Sequence, residues 1–369
     1  MFSATDTRHM AQAVRLAARA RFWARPNPHV GCVLANGDEI VAEGFTQPAG
    51  GDHAEAMALK TAEGKAEGAT AYVTLEPCSH FGRTPPCAQA LIDVGVARVV
   101  FAVGDPNPKV DGGGRAALEA AGVVVESGLL ADQVEQQLAG FLSRFRSQRP
   151  RIRMKLAASL DGRTAMASGE SQWITGPQAR ADVQRLRAES CAIVTGVGTV
   201  LADDCALTVR DENFAEEFLP PESRRALRVV LDSQGRTPAG SKVLLGDQPS
   251  LLVVASAAEN GGDAHEANQV AVANDDSGLN LHAVVAELVN REINELLVEC
   301  GPRLAGAWLR SGLVDQLILY QAPKLLGSTA RPLLELPLET MAQAVDLTLL
   351  DRRQLGPDQR LTYQVKSRD

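Results

Sequence analysis

The chain has 369 residues, of which 45% are hydrophobic and 22% charged, and its formal net charge at pH 7 is −8. This length allows two domains with separate cores, and the composition is that of a soluble globular protein. The negative charge argues against a nucleic-acid partner. No apolar run is long enough to cross a bilayer, and no targeting peptide is recognisable, so we expect a cytoplasmic protein with no membrane partner.

The first half alternates helical and extended patterns. Predicted helices cover residues 6–21, 53–63 and 87–94, and predicted strands cover 30–35, 39–42, 71–75 and 99–103. The turn at Asn36-Gly37 is a strong hairpin signal. The alternation predicts βαβ units in a largely parallel sheet, with functional sites at strand ends.

The stretch from His53 to Cys87 carries the chemistry of this half. One imidazole and two thiolates (His53, Cys78 and Cys87) suit zinc, and three protein ligands leave the fourth tetrahedral position open for water. Glu55 follows the histidine by two residues, near enough to relay a proton beside the metal. H-x-E followed by P-C and a second cysteine is the signature of zinc nucleobase deaminases. A structural four-ligand site, with His80 as the nearest fourth candidate, is the open alternative.

Two loops nearby allow more than one interpretation. Pro26-Asn27-Pro28 is rigid and either holds the Asn27 amide at a pocket wall or forms only a turn. The glycine-rich loop at 112–114 precedes a helix and is either a phosphate site or an ordinary turn.

These motifs resemble those of the bifunctional riboflavin-biosynthesis deaminase–reductases. The matching stretches are Pro26-Asn27-Pro28, His53-Ala54-Glu55, Glu76-Pro77-Cys78, Gly82-Arg83-Thr84-Pro85-Pro86-Cys87 and Asp105-Pro106-Asn107-Pro108. The resemblance implies that His53, Cys78 and Cys87 bind zinc and that Glu55 is the catalytic proton shuttle. It also implies a diaminopyrimidinone substrate with a ribosylamino 5-phosphate, contacted by Asn27 and His80. Thr46 and Met57 stand where this family commonly has histidines, which puts peripheral substrate contacts in doubt.

A domain boundary is predicted at Gln148-Arg149-Pro150, because a helix seldom continues through the residue before proline. We therefore expect a deaminase domain at 1–147 and a second α/β domain at 150–369. The second domain has predicted strands at 151–158, 192–196, 228–231, 251–255, 295–299 and 316–320, and predicted helices at 177–188, 282–291 and 302–311. No G-x-G-x-x-G follows a strand, so a Rossmann dinucleotide site is not supported.

The same family resemblance extends through this half. It is carried by residues 155–162, 171–175, 203–204, 207–210 and 322–324. The resemblance implies a reductase domain similar to dihydrofolate reductase. It implies NADPH binding by Ala157, Trp173, Thr199, Asp203, Ser233, Gly301, Pro302, Arg303, Leu304, Ala305, Gly306 and Ala307. It implies substrate binding by Ser171, Arg187, Leu207, Arg210 and Glu299, with Lys155 as an electrostatic partner of the sugar.

The residues alone leave alternatives open here. Arg187 and Arg210 suit phosphate as guanidinium forks, yet Arg187 also suits a solvated helix face. Trp173 either presents its flat face to a ligand or packs in the core. The turn at Gly301-Pro302 either binds a phosphate or is an ordinary turn between a strand and a helix.

The expected fold is a cytidine-deaminase-like three-layer α/β/α domain followed by a dihydrofolate-reductase-like α/β domain. The expected function is two consecutive steps of riboflavin biosynthesis, a zinc-dependent deamination and an NADPH-dependent reduction of ribosyl to ribityl. A homo-oligomer is the expected assembly. Two rivals are weaker. A nucleic-acid deaminase would need a basic, aromatic-rich surface, and aromatic residues make up only 4% of this chain. A zinc-stabilised scaffold would have no use for Glu55.

Overall fold

The computed structural model describes residues 1–79, 86–108, 110–210, 214, 220–221, 225–256, 268–275 and 278–366. The chain divides into two compact units, the first ending at Gln148 and the second beginning at Arg149. Each unit buries its own hydrophobic core. In the described part of the chain, no helix combines the length and the apolar character that crossing a membrane requires.

The first unit places helices around one five-stranded sheet. Its helices are α1 (Ala4–Arg19), α2 (Ala54–Thr61), α3 (Cys87–Asp93), α4 (Gly113–Ala120), α5 (Ala131–Gln137) and α6 (Ala139–Arg146). Its strands are β1 (Gly31–Asn36), β2 (Glu39–Phe45), β3 (Thr70–Leu75), β4 (Arg98–Val103) and β5 (Val124–Ser127), in the order β2-β1-β3-β4-β5.

The expectation of a largely parallel sheet was wrong for this unit. β3, β4 and β5 are parallel to one another, but β1 is antiparallel to both β2 and β3. The hairpin turn consists of Gly37 and Asp38, one residue later than the predicted Asn36-Gly37, because Asn36 itself pairs with Glu39. A two-residue turn can join only antiparallel strands, which accounts for the direction of β1 relative to β2. Gly37 has a φ of 59°, as such a turn requires.

A polar network fixes α1 to this sheet. The Ser3 hydroxyl accepts a hydrogen bond from the Asp6 amide, and the Asp6 carboxylate accepts one from the Ser3 amide, which forms a capping box. The other Asp6 oxygen accepts from the Tyr72 hydroxyl at 2.8 Å and from Arg98 at 2.6 Å. The helix start is therefore tied directly to β3 and β4.

The second unit is built on a nine-stranded sheet. Its helices are α7 (Pro177–Glu189), α8 (Val197–Asp203), α9 (Leu281–Asn290) and α10 (Pro302–Arg310). The strands of the large sheet are β6 (Arg151–Ser159), β8 (Ala192–Gly196), β9 (Leu227–Leu231), β10 (Ser250–Ala255), β11 (Gln269–Val272), β14 (Glu295–Val298), β15 (Gln316–Ala322), β17 (Leu347–Leu355) and β18 (Asp358–Val365). Short strands outside it are β7 (Arg163–Ala165), β12 (Asn274–Asp275), β13 (Gly278–Leu279) and β16 (Arg331–Pro332).

The large sheet has the order β11-β10-β9-β8-β14-β6-β15-β18-β17. All its pairs from β11 to β15 are parallel, and the final hairpin of β17 and β18 is antiparallel. The carboxyl ends of β6, β8, β9 and β14 consequently share one edge, where parallel sheets bind ligands. The sequence predictions found these four strands but missed α8 and the final hairpin.

Candidate functional sites

Three sulfur and nitrogen ligands meet in the first unit. His53 is the N-cap residue of α2, Cys78 follows β3, and Cys87 is the first residue of α3. Their ligand atoms all lie within 4.8 Å of one another. Residues separated by up to 34 positions in sequence are therefore brought together by one strand end and two helix starts.

The spacing of these atoms fits zinc. The His53 Nδ1 atom is 3.6 Å from the Cys78 Sγ atom and 3.3 Å from the Cys87 Sγ atom. A tetrahedral ion with Zn–S of about 2.3 Å and Zn–N of about 2.0 Å separates such ligand atoms by roughly 3.5 Å. The donor set matches a three-ligand zinc site with one open position.

The electrostatics also favour a metal. A hydrogen bond with Cys87 lowers the pKa of Cys78 to about 4, with burial opposing the change and His53 assisting it. Cys78 is thus readily available as the thiolate that zinc binds.

Glu55 lies in the first turn of α2 and is only 4% exposed. Burial raises its pKa to about 7, and the nearby Cys78 adds to the increase while His53 opposes it. A carboxyl group with a pKa near neutrality can both accept and donate a proton at physiological pH.

Two glycines allow the backbone to form this cluster. A Cβ atom on Gly44 in β2 would lie 2.1 Å from the Ala54 carbonyl oxygen, so only glycine lets α2 pack this closely. A Cβ atom on Gly114 in α4 would lie 1.9 Å from the Pro77 carbonyl oxygen. These contacts fix the helix that carries Glu55 and the loop that carries Cys78.

Glu76 has a role that the sequence motif did not reveal. Its side chain is buried, and one carboxylate oxygen accepts a hydrogen bond from the Arg115 amide in the first turn of α4 at 3.0 Å. The glycine-rich loop at 112–114 thus already receives a carboxylate from its own chain. This arrangement favours the turn interpretation of that loop over a phosphate site.

The remaining predictions in this unit concern Asn27, Thr46, Met57 and His80. Asn27 is half-buried there, and Thr46 supports the loop by donating to the Pro28 carbonyl and accepting from the Val30 amide. The Met57 sulfur lies 3.1 Å from the Gln47 amide nitrogen. The two unusual residues therefore have packing roles of their own. His80 lies outside the described residues.

In the second unit, Glu299 directly follows β14 and is held by two cations. The Arg187 guanidinium donates to both of its oxygens, at 2.6 and 2.9 Å, and the Lys155 ammonium lies 3.8 Å away. Burial raises the pKa of Glu299, but Arg187 and then Lys155 outweigh it, so the pKa is below its ordinary value. Burial lowers the pKa of Lys155, and Glu299 opposes that effect.

Arg187 was expected to offer a phosphate fork. Its fork faces Glu299, and its remaining terminal nitrogen donates to the Thr208 carbonyl at 3.1 Å. In this geometry Arg187 orients Glu299, while Arg210 is exposed. Leu207 is buried with a φ of 52°, which is unusual for leucine, so any ligand contact there comes from its backbone.

The predicted cofactor residues gather along the carboxyl edge of the sheet. Ala157 is in β6, Thr199 and Asp203 are in α8 just after β8, and Ser233 follows β9. Gly301 is the N-cap of α10, and open space lies where its Cβ would be. Farther along α10, Ala305 is fully buried and a Gly306 Cβ would meet the Glu335 backbone, so these two residues pack the helix.

The loop before α7 carries two further predicted residues. Ser171 is half-buried, and the Trp173 side chain is 59% exposed with the Arg180 guanidinium 4.3 Å from its ring centroid. The Lys324 ammonium donates to the Trp173 carbonyl at 2.7 Å. Trp173 is therefore not a core residue, and its ring has exposed surface for a ligand.

Comparison with known proteins identifies the family to which the two units belong. Residues 3–103 match the cytidine and deoxycytidylate deaminase zinc-binding region, and residues 150–361 match the RibD C-terminal domain. The riboflavin biosynthesis protein RibD of Escherichia coli (strain K12) is 51% identical over 359 residues, which cover 96% of this chain and 97% of that protein. The chain belongs to the RibD family. It is accordingly a bifunctional enzyme with a deaminase step and a reductase step in riboflavin biosynthesis.

Other RibD relatives extend the match. The RibD protein of Haemophilus influenzae (strain ATCC 51907 / DSM 11121 / KW20 / Rd) is 47% identical, with 99% of both chains covered. The structure of Acinetobacter baumannii RibD superposes with a TM-score of 0.91 at 42% identity, covering 98% of this chain and 99% of that one. A Thermotoga maritima structure, described as a diaminohydroxyphosphoribosylaminopyrimidine deaminase/5-amino-6-(5-phosphoribosylamino)uracil reductase, has a TM-score of 0.86 at 29% identity, with 98% and 99% covered. The predicted family and fold class are confirmed.

Proposed function

We propose that residues 1–147 deaminate 2,5-diamino-6-(5-phosphoribosylamino)pyrimidin-4(3H)-one by hydrolysis. We propose that residues 150–369 then reduce the ribosyl group of the product to ribityl with NADPH. The observation that carries the first proposal is the buried Glu55 carboxyl beside a three-ligand metal cluster. The deaminase and reductase activities named for the Thermotoga maritima relative support the substrate class.

In the deaminase unit, His53, Cys78 and Cys87 would hold the zinc ion. When bound, zinc would lower the pKa of a water molecule, so that a hydroxide nucleophile would be available near neutral pH. Glu55 would hold the proton in transit, taking one up at its carboxylate from the attacking water and donating one to the departing ring amine. A carbon–oxygen bond forms, the carbon–nitrogen bond breaks, and ammonia leaves. Burial of Glu55 keeps its pKa suited to both transfers. Asn27 and His80 are the proposed substrate contacts.

The second unit has the features that a phosphorylated cofactor needs. The N-terminus of α10 has no side-chain cap and no acidic residue in its first turn, so its free amides suit the pyrophosphate of NADPH. We assign to this cofactor Ala157, Trp173, Thr199, Asp203, Ser233 and the turn of Gly301, Pro302, Arg303, Leu304, Ala305, Gly306 and Ala307. Ala305 and Gly306 support the turn from beneath.

NADPH supplies the hydride when bound. Lys155, in the middle of β6, and Glu299, directly after β14, lie 3.8 Å apart and are the proposed contacts of the ribosyl group. The buried ion pair with Arg187 keeps Glu299 ionised and fixed in orientation. Ser171, the Leu207 backbone and Arg210 complete the proposed substrate site, with Arg210 as its exposed phosphate-binding cation.

The test follows the two steps separately with purified protein and the diaminopyrimidinone ribosyl phosphate. Ammonia should appear without NADPH, and NADPH oxidation should then depend on prior ammonia release. Glu55→Gln should abolish ammonia release but keep bound zinc, whereas Cys87→Ser should lose both. Loss of zinc in Glu55→Gln would refute the division of roles, and no ammonia from the zinc-loaded unaltered chain would refute the substrate assignment.

The expected assembly also belongs with these proposals. We propose a homo-oligomer, and the exposed leucines at 347, 349 and 350 on the terminal strand β17 support it. Light scattering of the purified chain would measure its mass directly.

A further inference from the structure

The segment 206–210 contains Leu207 and Arg210, both proposed substrate contacts, but it belongs to no helix or strand. Among the described residues, no backbone–backbone hydrogen bond involves this segment. Leu207 and Val209 are buried, but apolar burial is not directional and does not by itself fix the backbone. The position of the exposed Arg210 therefore depends on side chains that reach the segment from other elements.

Two of these side chains come from β9 and the residues just before it. Arg228 donates to the Ala206 carbonyl at 3.4 Å, and Arg225 donates to the Val209 carbonyl at 3.0 Å. Both arginines are buried, so each guanidinium contacts the segment from inside the unit. These hydrogen bonds tie the segment to the large sheet.

The helix α7 holds the segment through two residues on one face. Arg187 donates to the Thr208 carbonyl at 3.1 Å, while its fork binds Glu299. Gln184 lies three positions earlier and therefore on the same face of the helix. Its side-chain oxygen accepts a hydrogen bond from the Arg210 amide at 2.9 Å, and the residue is only 6% exposed.

Glu299 and Arg210 are thereby held by neighbouring residues of one helix. Their proposed ligand contacts differ, since Glu299 faces the ribosyl group and Arg210 the 5-phosphate. The separation of these two contacts then depends on Arg187 and Gln184 together. An amide suits this task, because it accepts a hydrogen bond without placing a negative charge next to the phosphate, as a carboxylate would.

We propose that Gln184 is a positioning residue that orients Arg210 toward the 5-phosphate of the reductase substrate. Through Arg210 it contributes to the selection of the phosphorylated substrate over the same compound without its phosphate. This inference rests on the proposed function, in which Arg210 binds that phosphate.

NADPH oxidation by the full chain tests this role, with the deaminated intermediate supplied with and without its 5-phosphate. Arg210→Gln should raise the KM of the phosphorylated compound by about 10- to 100-fold, the range for a lost charge-assisted hydrogen bond. Gln184→Met removes the acceptor, so Arg210 is correctly placed in fewer molecules. The same KM should rise by about 3- to 10-fold, with kcat changed by less than about twofold. For the compound without phosphate, kcat/KM should change by less than about twofold in both variants.

The double variant separates positioning from a general structural effect. Gln184→Met combined with Arg210→Gln should match Arg210→Gln alone, because residues that act through one another are not additive. Gln178→Met is the matched control, since Gln178 is exposed near the start of the same helix, and it should leave every KM unchanged. If Gln184→Met does not fold, Gln184→Asn replaces it, because its amide is one methylene too short to reach the Arg210 backbone.

Three results would overturn the inference alone: an unchanged KM in the Gln184 variant, equal losses for both compounds, or additive losses in the double variant. An unchanged KM in Arg210→Gln would overturn the proposed phosphate contact as well.

Discussion

Gly44→Ala should disturb the deaminase site indirectly, because Gly44 packs against α2 and is not itself a proposed zinc ligand. The added Cβ atom would lie 2.1 Å from the Ala54 carbonyl oxygen and 2.6 Å from the Ala58 amide nitrogen. Side chains rarely approach closer than 3.0 Å, so α2 must move away from β2 by about 1 Å. The contact is between backbone atoms, which cannot rotate out of the way.

Two effects follow from that movement. Overpacking of this kind costs about 1–3 kcal/mol, and a loss of about 2 kcal/mol lowers the melting temperature of a unit of this size by roughly 4–8 °C. His53 and Glu55 both move with the start of α2, and a displacement of about 1 Å at a catalytic group reduces the rate by about 100-fold. We therefore expect weaker zinc retention, slower ammonia release and a lower melting temperature.

The assay measures bound zinc, ammonia release and thermal unfolding of Gly44→Ala beside Gly240→Ala. A Cβ on Gly240 meets no atom within 4 Å, so that variant controls for the extra methyl group. NADPH oxidation with the deaminated intermediate should be nearly normal in both, since the second unit has its own core. Unchanged zinc content and ammonia release in Gly44→Ala would refute the reasoning.

Two further predictions concern the ion pair and the metal. Arg187→Met should lower the free energy of unfolding of the second unit by about 3 kcal/mol at pH 7.5, because it leaves Glu299 buried without its main partner. The pKa of Glu299 is depressed in the folded protein, so its stabilising contribution exists above its ordinary pKa near 4.5 and is lost as pH falls. In the variant the pKa of Glu299 rises, and protonation neutralises the carboxylate. Urea unfolding should therefore show a smaller loss of unfolding free energy at pH 5 than at pH 7.5, with the exposed Arg185→Met on the same helix as the control. A loss of unfolding free energy that grows as the pH falls would contradict the ion-pair account. Removing zinc with a chelator should stop ammonia release but spare NADPH oxidation with the deaminated intermediate, and loss of both activities would show that the units are not independent.

Local sequence patterns determined much of this protein. The H-x-E and P-C spacing identified His53, Glu55 and Cys78, and these residues converge because parallel strand ends and helix starts meet at one sheet edge. Several of the residues that the family motifs predict for the reductase, such as Thr199 and Ser233, likewise follow strands at the carboxyl edge of the second sheet. Hydrophobic periodicity and turn chemistry are short-range properties, so most of the longer helices and strands could be predicted to within a few residues at their ends, although α8 and the final hairpin were missed.

Contacts between distant segments were decided only by the tertiary structure. Arg187 and Glu299 are 112 residues apart, and nothing in either segment shows that the arginine fork faces the carboxylate and not a phosphate. The close approach at Gly44 depends on the angle at which α2 crosses β2. The antiparallel placement of β1 beside β3 similarly depends on how the whole sheet closes its core. Such features arise from packing many elements at once, whereas the sequence specifies directly only what neighbouring residues can form.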